Sequence, residues 1–183
     1  GHVFCLNADN GEVIWKQNVT NDFGAEPPRW GFAGSALIEG NMAIFNACSY
    51  GIAFNKKNGN LIWKSPKGIG NYSTPVLYEL NGQKRLAIFG ETTINGVDLK
   101  TGKRLWSYEW ITDYHINGAD PLYFDDKLFI STGYDRGCAL LDVSADKPEL
   151  IWENKNMSAQ FSSPVFLNGY IYGSHGQVGR HSG

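Results

Sequence analysis

The chain has 183 residues, enough for one domain with a sizeable core, and its formal net charge is −2. Its 16 basic and 18 acidic residues form no basic run or stripe, the usual feature of nucleic-acid-binding proteins. We therefore predict no nucleic-acid partner. No apolar run reaches the roughly 20 residues of a membrane-spanning helix, and we therefore predict no membrane span.

One phrase, made of two short strands around a tight turn and ending on a tryptophan, occurs four times. Its clearest copy runs from Ala53 to Trp63 and turns at Asn58-Gly59, a pair that favours hairpins. The other copies end on Trp15, Trp106 and Trp152, and successive tryptophans stand about 45 residues apart. A period of that size, with four short strands in each unit, is typical of the blades of a β-propeller.

The first 33 residues hold half a repeat and a connection. Residues 1–18 supply the copy that ends on Trp15, with strands predicted at Val3–Leu6 and Val13–Lys16. Residues 19–33 contain two prolines, and this long connection is predicted to be a surface loop. No segment of the chain shows an apolar period of 3.6 residues, so we expect essentially no helix.

Three whole units of four strands follow, and the chain closes with the first half of another. We place the units at 34–66, 72–108 and 118–154 and the closing half at 161–174, within a single domain that covers residues 1–183. Their first strands are predicted at Ser35–Ile38, Thr74–Tyr78, Asp120–Phe124 and Ser163–Leu167. Short strands with turn signals every 8–12 residues or so favour an all-β fold, here one of four-stranded antiparallel blades.

A short polar residue precedes a proline in three of the first strands. The pairs are Thr74-Pro75, Asp120-Pro121 and Ser163-Pro164. Proline cannot donate to a strand ladder, so it belongs on an edge, and the innermost strand of a blade is such an edge. The outermost strand carries the tryptophan, which can pack there against the neighbouring blade and needs an acceptor for its indole N–H. A sandwich of two sheets gives no reason to repeat a whole four-strand unit.

The repeat phrase resembles the tryptophan-docking repeat of the pyrroloquinoline-quinone (PQQ)-like β-propellers. The resemblance lies in a small residue, Leu-Asp, a Thr-Gly or Asn-Gly turn and a closing Trp, and the Ser-Pro-Val that begins at Ser163 is similar as well. It implies a periplasmic or extracellular protein. The family includes quinoprotein alcohol dehydrogenases, secreted polyvinyl-alcohol dehydrogenases, the propeller lipoprotein of outer-membrane assembly and sensor domains of kinases. The family therefore predicts the fold more strongly than the function.

The resemblance also implies a ring of about seven or eight blades, whereas the sequence provides three whole blades and two complementary halves. Three interpretations follow. The chain is part of a larger ring whose remaining blades lie in a longer chain, or its halves join into a fourth blade, or two copies form one homo-oligomeric ring. Because unpaired strand edges favour association, we expect further blades, a protein partner or a second copy to complete the ring.

The loops before the innermost strands should surround one mouth of the central channel. We expect polar groups with aromatic walls there, a composition typical of ligand sites. The candidate ligand-binding residues are Arg29, Trp30, Asn71, Tyr72, His115, Asn117, Asp120 and Gln160. One aligned position of these loops holds Ala33, Tyr72, Gly118 and Phe161. The alternative is that the amides and hydroxyls only satisfy backbone groups of the inner strands.

No residue pattern identifies a catalytic centre. If the chain were a PQQ dehydrogenase, the resemblance implies that it would hold a calcium ion with Glu, Asn and Asp side chains. Calcium takes six to eight oxygen ligands. Asp120 and Asn117 lack a partnering Glu, and the three cysteines include no adjacent pair. We therefore predict no PQQ, calcium or other metal in this chain alone, with His175 and His181 of the polar tail as the alternative metal ligands.

These observations favour a non-catalytic propeller that acts as a binding or assembly scaffold outside the cytoplasm. Two alternatives stay open at this point. In the first, the chain is part of a quinoprotein-type alcohol dehydrogenase whose catalytic residues lie partly outside it. In the second, the chain is a propeller sensor domain of a kinase.

Overall fold

The computed structural model describes residues 1–176 as antiparallel sheets that follow one another along the chain. The first sheet pairs β1 (His2–Leu6) with β2 (Val13–Asn18). The first four-stranded sheet contains β4 (Leu37–Glu39), β5 (Met42–Phe45), β6 (Ile52–Asn55) and β7 (Leu61–Lys64). The second contains β9 (Val76–Leu80), β10 (Gln83–Phe89), β11 (Thr93–Asp98) and β12 (Arg104–Glu109).

The third four-stranded sheet contains β13 (Leu122–Phe124), β14 (Lys127–Thr132), β15 (Gly137–Asp142) and β16 (Glu149–Asn154). A final hairpin pairs β17 (Val165–Leu167) with β18 (Tyr170–Tyr172). First strands of successive sheets contact each other, β9 with β13 and β13 with β17, as the innermost strands of blades do. These sheets confirm the predicted all-β propeller of four-stranded antiparallel blades.

The hydrophobic core is divided among the interfaces between successive sheets. One cluster joins Ile44 of β5 and Trp63 of β7 to Leu86 and Ile88 of β10 in the next sheet. Comparable clusters lie at the preceding and following interfaces. The middle strands of a blade are therefore continuous apolar runs, since both of their faces are covered by neighbouring sheets.

Two short elements lie in the segment that the sequence predicted as a loop. A five-residue helix, α1 (Val19–Phe23), begins after Asn18, whose side chain accepts from the backbone N–H of residues 20 and 21. The two-residue strand β3 (Ala25–Glu26) then pairs in parallel with β8 (Gly68–Ile69). The loop prediction was wrong here because capping by one asparagine is a local signal that an apolar-period search does not detect. No helix among residues 1–176 is long and apolar enough to span a membrane.

The first strand of each unit begins two residues later than the sequence predicted, and three of these four strands begin directly after the Ser-, Thr- or Asp-Pro pair. Where the prediction began at Thr74, for example, β9 begins at Val76. Thr74 instead donates its backbone N–H to Asp120 Oδ1 of the next sheet, at 2.6 Å. The Asp120 N–H in turn donates to Ser163 Oγ, at 3.1 Å. These residues link sheet to sheet, because the adjacent proline has no N–H with which to extend the ladder.

The three copies of the repeat phrase that contain a turn glycine close their turns with the same backbone hydrogen bond, from the glycine N–H to the Asx carbonyl oxygen. In the clearest copy, Asn55 Oδ1 accepts from the Lys57 N–H at 2.9 Å, and the Gly59 N–H donates to Asn55 O at 2.8 Å. In the following copy Asp98 Oδ1 accepts from the Thr101 N–H, one residue further along the turn. The glycine has φ +74°, a left-handed conformation that side chains disfavour. The Asx residue and the glycine thus fix each turn locally.

Two of the four tryptophans bind the backbone of the next sheet. Trp15 Nε1 donates to Lys56 O and Trp63 Nε1 donates to Leu99 O, each at 2.9 Å. Each indole also lies against the turn glycine of the next sheet, Gly59 or Gly102, where a Cβ atom would come within 2.9 Å or 2.5 Å of the ring. Trp152 is half-buried beside Phe129 of its own sheet, and Ile171 of β18 packs against the same apolar cluster.

Trp106 packs against the next sheet but does not bond to its backbone. Its Nε1 donates to the Tyr78 hydroxyl of its own sheet at 2.9 Å. The indole can fold back because Gly96 stands opposite, where a Cβ atom would lie 2.1 Å from Nε1. The next sheet has no turn glycine at this junction, and Arg85, with 7% of its side chain exposed, instead reaches Asp146 Oδ1 at 3.0 Å.

Candidate functional site

A cavity of about 540 Å³ opens among the loops that precede the first strands of the sheets. Its lining combines small residues with aromatic ones and one amide. The lining residues are Trp30, Ala33, Tyr72, Gly118, Tyr134, Gln160 and Phe161. All four members of the aligned position Ala33, Tyr72, Gly118 and Phe161 are among them. Equivalent positions of successive repeat units therefore meet at this cavity.

The aromatic walls of the cavity are held by contacts with one another. The rings of Trp30 and Tyr72 lie 6.0 Å apart, and the Trp30 backbone N–H donates to the Tyr72 hydroxyl oxygen at 3.2 Å. Across the cavity, Gln160 Nε2 donates to the Tyr134 hydroxyl oxygen at 2.9 Å. The Tyr134 ring meets the Tyr114 ring edge to face at 4.9 Å. Trp30 and Phe161 are each 60% exposed, so both present open ring surface.

Three of the eight candidate residues from the sequence, Trp30, Tyr72 and Gln160, line this cavity. Arg29 lies behind Trp30, with its guanidinium carbon 5.4 Å from the ring centroid. His115 is exposed, and its Nδ1 lies 3.1 Å from Glu91 Oε1. The structure therefore brings only part of the predicted set together.

The two candidate asparagines are buried and hold backbone groups. Asn71 Nδ2 donates to Gly90 O at 2.8 Å and to His115 O at 3.0 Å. Asn71 Oδ1 accepts from the Asn117 backbone N–H at 2.8 Å, Asn117 Nδ2 donates to Gly90 O at 3.4 Å, and Asp120 accepts from Thr74 as described above. These contacts match the alternative that the sequence left open, in which amides satisfy the inner strands.

Tyr134 is a lining residue that the sequence reasoning did not select. It lies in the turn between β14 and β15 with φ +59°, whereas the candidates came from the loops before first strands. Burial raises the pKa of the Tyr134 hydroxyl, and the neighbouring Tyr114 raises it further, while the hydrogen bond from Gln160 lowers it. The hydroxyl consequently keeps its proton at neutral pH. The sequence signal that could have identified it is a tyrosine that directly follows a glycine, Gly133, in the short turn between the second and third strands of a unit.

The residues around the cavity do not fit a calcium-bound PQQ. Calcium requires six to eight oxygen ligands, mostly carboxylates and carbonyls. The nearest predicted ligand, the Asp120 carboxylate, already accepts from a backbone N–H, and the Asn117 amide is buried behind the lining. Within residues 1–176, no three or more His, Cys, Asp or Glu side chains form a group that could hold a metal ion. His175 Nδ1 accepts from the Ser158 N–H at 3.2 Å, and His181 lies outside the described residues.

Residues 1–181 match the family model described as outer membrane protein assembly factor BamB. The crystal structure of BamB from Moraxella catarrhalis resembles 88% of this chain with a TM-score of 0.64 and 19% identity, over 50% of its own length. At that identity the likeness concerns the fold.

Two curated enzymes are also similar in sequence. Quinoprotein glucose dehydrogenase A of Acinetobacter calcoaceticus is 28% identical over 100 residues, which are 48% of this chain and 12% of the enzyme. Tetrathionate hydrolase of Acidithiobacillus ferrooxidans is 24% identical over 197 residues, covering 93% of this chain and 36% of the enzyme. The chain thus spans little more than a third, at most, of either enzyme's length.

Proposed function

The chain belongs to the family described as outer membrane protein assembly factor BamB, and from that premise we propose that it is a non-catalytic binding and assembly scaffold outside the cytoplasm. The observation that supports the proposal is that the polar side chains around the cavity are already hydrogen-bonded within the protein. The Asn71 and Asn117 amides both donate to Gly90 O, and Asp120 accepts from the Thr74 backbone N–H, so the recess is aromatic rather than a set of free acids and bases. Such a recess suits ligand recognition better than proton transfer.

The proposed partner is a protein. We place residues 1–183 in one propeller domain, with blades at 34–66, 72–108 and 118–154 and half blades at 1–18 and 161–174. Further blades, a different protein or a second copy would pair with the free edges of the half blades, since β1 and β18 each pair on one side only within residues 1–176. Trp30, Tyr72 and Gln160 would contact the ligand.

The second candidate function is part of a quinoprotein-type dehydrogenase. It is favoured by the similarity to quinoprotein glucose dehydrogenase A, which covers about half of this chain. In that case the groups that hold PQQ and calcium would have to come from outside the residues described above. The oxygen ligands around the cavity are too few for this chain to hold PQQ and calcium by itself.

A titration with PQQ and Ca²⁺ separates the two candidates. Binding is followed by the quinone absorbance and by the melting temperature, and activity is followed as dye-linked oxidation of ethanol and glucose. We expect neither saturable binding nor turnover, with a quinoprotein ethanol dehydrogenase as the positive control. Saturable PQQ binding accompanied by dye reduction would overturn the scaffold proposal.

A cross-linking experiment tests the scaffold directly. A photoreactive amino acid replaces the exposed Phe161 at the cavity or, as a control, the exposed Lys57 in a turn of the repeat phrase. We expect a discrete protein adduct from position 161 and none of the same mass from position 57. Adducts of equal yield from both positions would argue against a partner at the channel mouth.

A further inference from the structure

The hydrogen-bonding groups around the cavity are mostly donors. The Tyr72 hydroxyl oxygen accepts from the Trp30 backbone, and the Tyr134 hydroxyl oxygen accepts from Gln160, so each hydroxyl keeps its own O–H to donate. The Trp30 indole N–H makes no hydrogen bond with the described residues and is a third donor. Arg29 does not line the cavity but adds a cation over the ring of its neighbour Trp30. A complementary ligand must present acceptors.

The apolar surface of the cavity comes from the rings of four lining residues. Trp30 and Tyr72 lie together, and Tyr134 and Phe161 add two further rings to the lining. The two most exposed of these rings, Trp30 and Phe161, leave 60% of their surface open to solvent. Tyrosine and tryptophan offer large rigid contact areas that lose little conformational entropy on binding. The cavity is therefore preorganised for a rigid apolar ligand that stacks against rings.

We propose that this cavity binds an extended proline-containing segment of a protein partner, an inference that rests on the scaffold function. A proline residue carries a carbonyl acceptor and no N–H donor, which complements a wall of O–H and N–H donors. Proline-rich segments adopt the polyproline II conformation before binding and dock in aromatic-lined grooves at low entropic cost. The Arg29 guanidinium selects for an acidic residue beside the proline.

Two other ligand classes fit the same walls less well. A quaternary ammonium group also binds aromatic faces, but the Arg29 guanidinium carbon already lies 5.4 Å from the Trp30 centroid and would repel a second cation. A sugar stacks on rings as well, but its hydroxyl hydrogens need acceptors, and Gln160 is the one lining residue whose side chain carries a carbonyl oxygen.

Calorimetric titration of the protein with blocked decapeptides tests the proposal. The probes are decaproline, decaproline with a central Asp-Pro step, and a Gly-Ser decapeptide of the same length. We expect saturable binding of both proline peptides, tighter for the one with Asp, and no binding of the Gly-Ser peptide. Choline and cellobiose are titrated alongside as representatives of the other two ligand classes.

Variants locate the binding. Trp30→Ala and Phe161→Ala should weaken decaproline binding by about tenfold or more, because central aromatic anchors dominate such contacts. Tyr134→Phe removes one donor and should weaken it about threefold to tenfold. Leu150→Ala, at a side chain that is 49% exposed on β16 of a complete blade, should leave the affinity unchanged. Circular dichroism and the melting temperature of each variant confirm that it folds.

Each outcome has a distinct meaning. Binding of decaproline that survives Trp30→Ala, binding of choline or cellobiose in place of the proline peptides, or no binding at all overturns the inference. The last result leaves the scaffold function standing if the PQQ titration is also negative. Saturable PQQ binding with dye reduction would instead remove the scaffold function itself.

Discussion

Asn71 and Gln160 each come directly before a member of the aligned cavity position, Tyr72 and Phe161, but they make different contacts in the structure. The shorter Asn71 side chain turns inward to two backbone carbonyls, whereas Gln160 reaches the Tyr134 hydroxyl and lines the cavity. Equivalent positions in a repeat share a backbone location, and the length of the side chain then decides what it can reach. Alignment of the units could therefore identify the ring of candidates without identifying which of them face a ligand.

Truncation of Trp63 tests the docking of an indole on the next sheet. Trp63 is 6% exposed and combines its hydrogen bond to Leu99 O with packing on Gly102. We expect Trp63→Ala to lower the free energy of unfolding by about 3–5 kcal/mol, as measured by urea denaturation. Trp152→Ala is the matched control and should cost less, because Trp152 is only half-buried. Equal losses for the two variants would contradict this assignment.

The turn carboxylate Asp98 predicts how stability depends on pH. Burial alone would raise its pKa, but hydrogen bonds from the Thr101 side chain and backbone outweigh burial and hold the pKa below its ordinary value of 3.8. Since the folded-state pKa is depressed, the stabilisation is present above pH 4 or so and is lost as the pH falls through the folded-state pKa. Asp98→Asn keeps the acceptor that Asn55 provides in another copy, but it does not titrate.

We expect the melting temperature of Asp98→Asn to fall less steeply than that of the wild type between about pH 4 and pH 2. Asp113→Asn removes a carboxylate that makes no hydrogen bond within the described residues, and it controls for the loss of charge alone. Parallel pH profiles for all three proteins would show that the turn hydrogen bonds to Asp98 contribute no linked stability.

At the scale of the element, the repeat phrase is a hairpin whose turn also forms a docking surface. The turn glycine has a positive φ for the turn itself, and its missing Cβ makes room for the indole of the preceding sheet. Sequence reasoning identified the first purpose, because turn chemistry is local. The second purpose required the neighbouring sheet, which contributes its tryptophan about 40 residues earlier in the chain.

Two glycine substitutions separate these purposes. Gly11 and Gly102 have φ +76° and +69°, but a Cβ at Gly11 would meet nothing within 4 Å, whereas one at Gly102 would lie 2.5 Å from the Trp63 ring. Gly11→Ala should cost about 1 kcal/mol of unfolding free energy through backbone strain. Gly102→Ala should cost about 1–3 kcal/mol more through overpacking. Equal costs in urea denaturation would mean that the indole does not dock there.

At the scale of the whole molecule, the core is a series of interfaces rather than one centre, and the series has two ends. Within residues 1–176, β1 pairs only with β2, and β18 pairs only with β17. Phe4 on β1 is 50% exposed and Tyr172 on β18 is 52% exposed. Free strand edges that carry apolar side chains favour pairing with another chain or with further blades.

We therefore expect the 183-residue polypeptide to self-associate in a concentration-dependent way in sedimentation velocity. Combining Phe4→Lys with Tyr172→Lys should shift it toward the monomer, because charge on an edge strand opposes pairing. Ile38→Lys, at a residue 53% exposed on β4 of a complete blade, serves as the control and should have little effect. A monodisperse and stable wild-type monomer at all concentrations would contradict the expectation.

By itself, the sequence determined the repeat, the turns and the all-β propeller fold. Asx residues, glycines and alternating apolar residues act over a few positions, so their consequences could be derived without tertiary structure. The same reasoning placed the mouth of the channel in the loops before the first strands, and four aligned residues of those loops do line the cavity. It began those strands too early at their prolines and missed α1, because a sheet-to-sheet bond and a single cap decide those positions.

Only the tertiary structure decided which residues reach the cavity and where each indole binds. Tyr134, from the turn between β14 and β15, lines the cavity together with residues of the loops before the first strands. Trp106 bonds to Tyr78 of its own sheet because Gly96 leaves room for the indole and the next sheet has no turn glycine at that junction. These outcomes depend on distances between residues that are tens of positions apart. Close packing and the need to satisfy buried hydrogen bonds set such distances for the fold as a whole, so a local sequence pattern does not predict them.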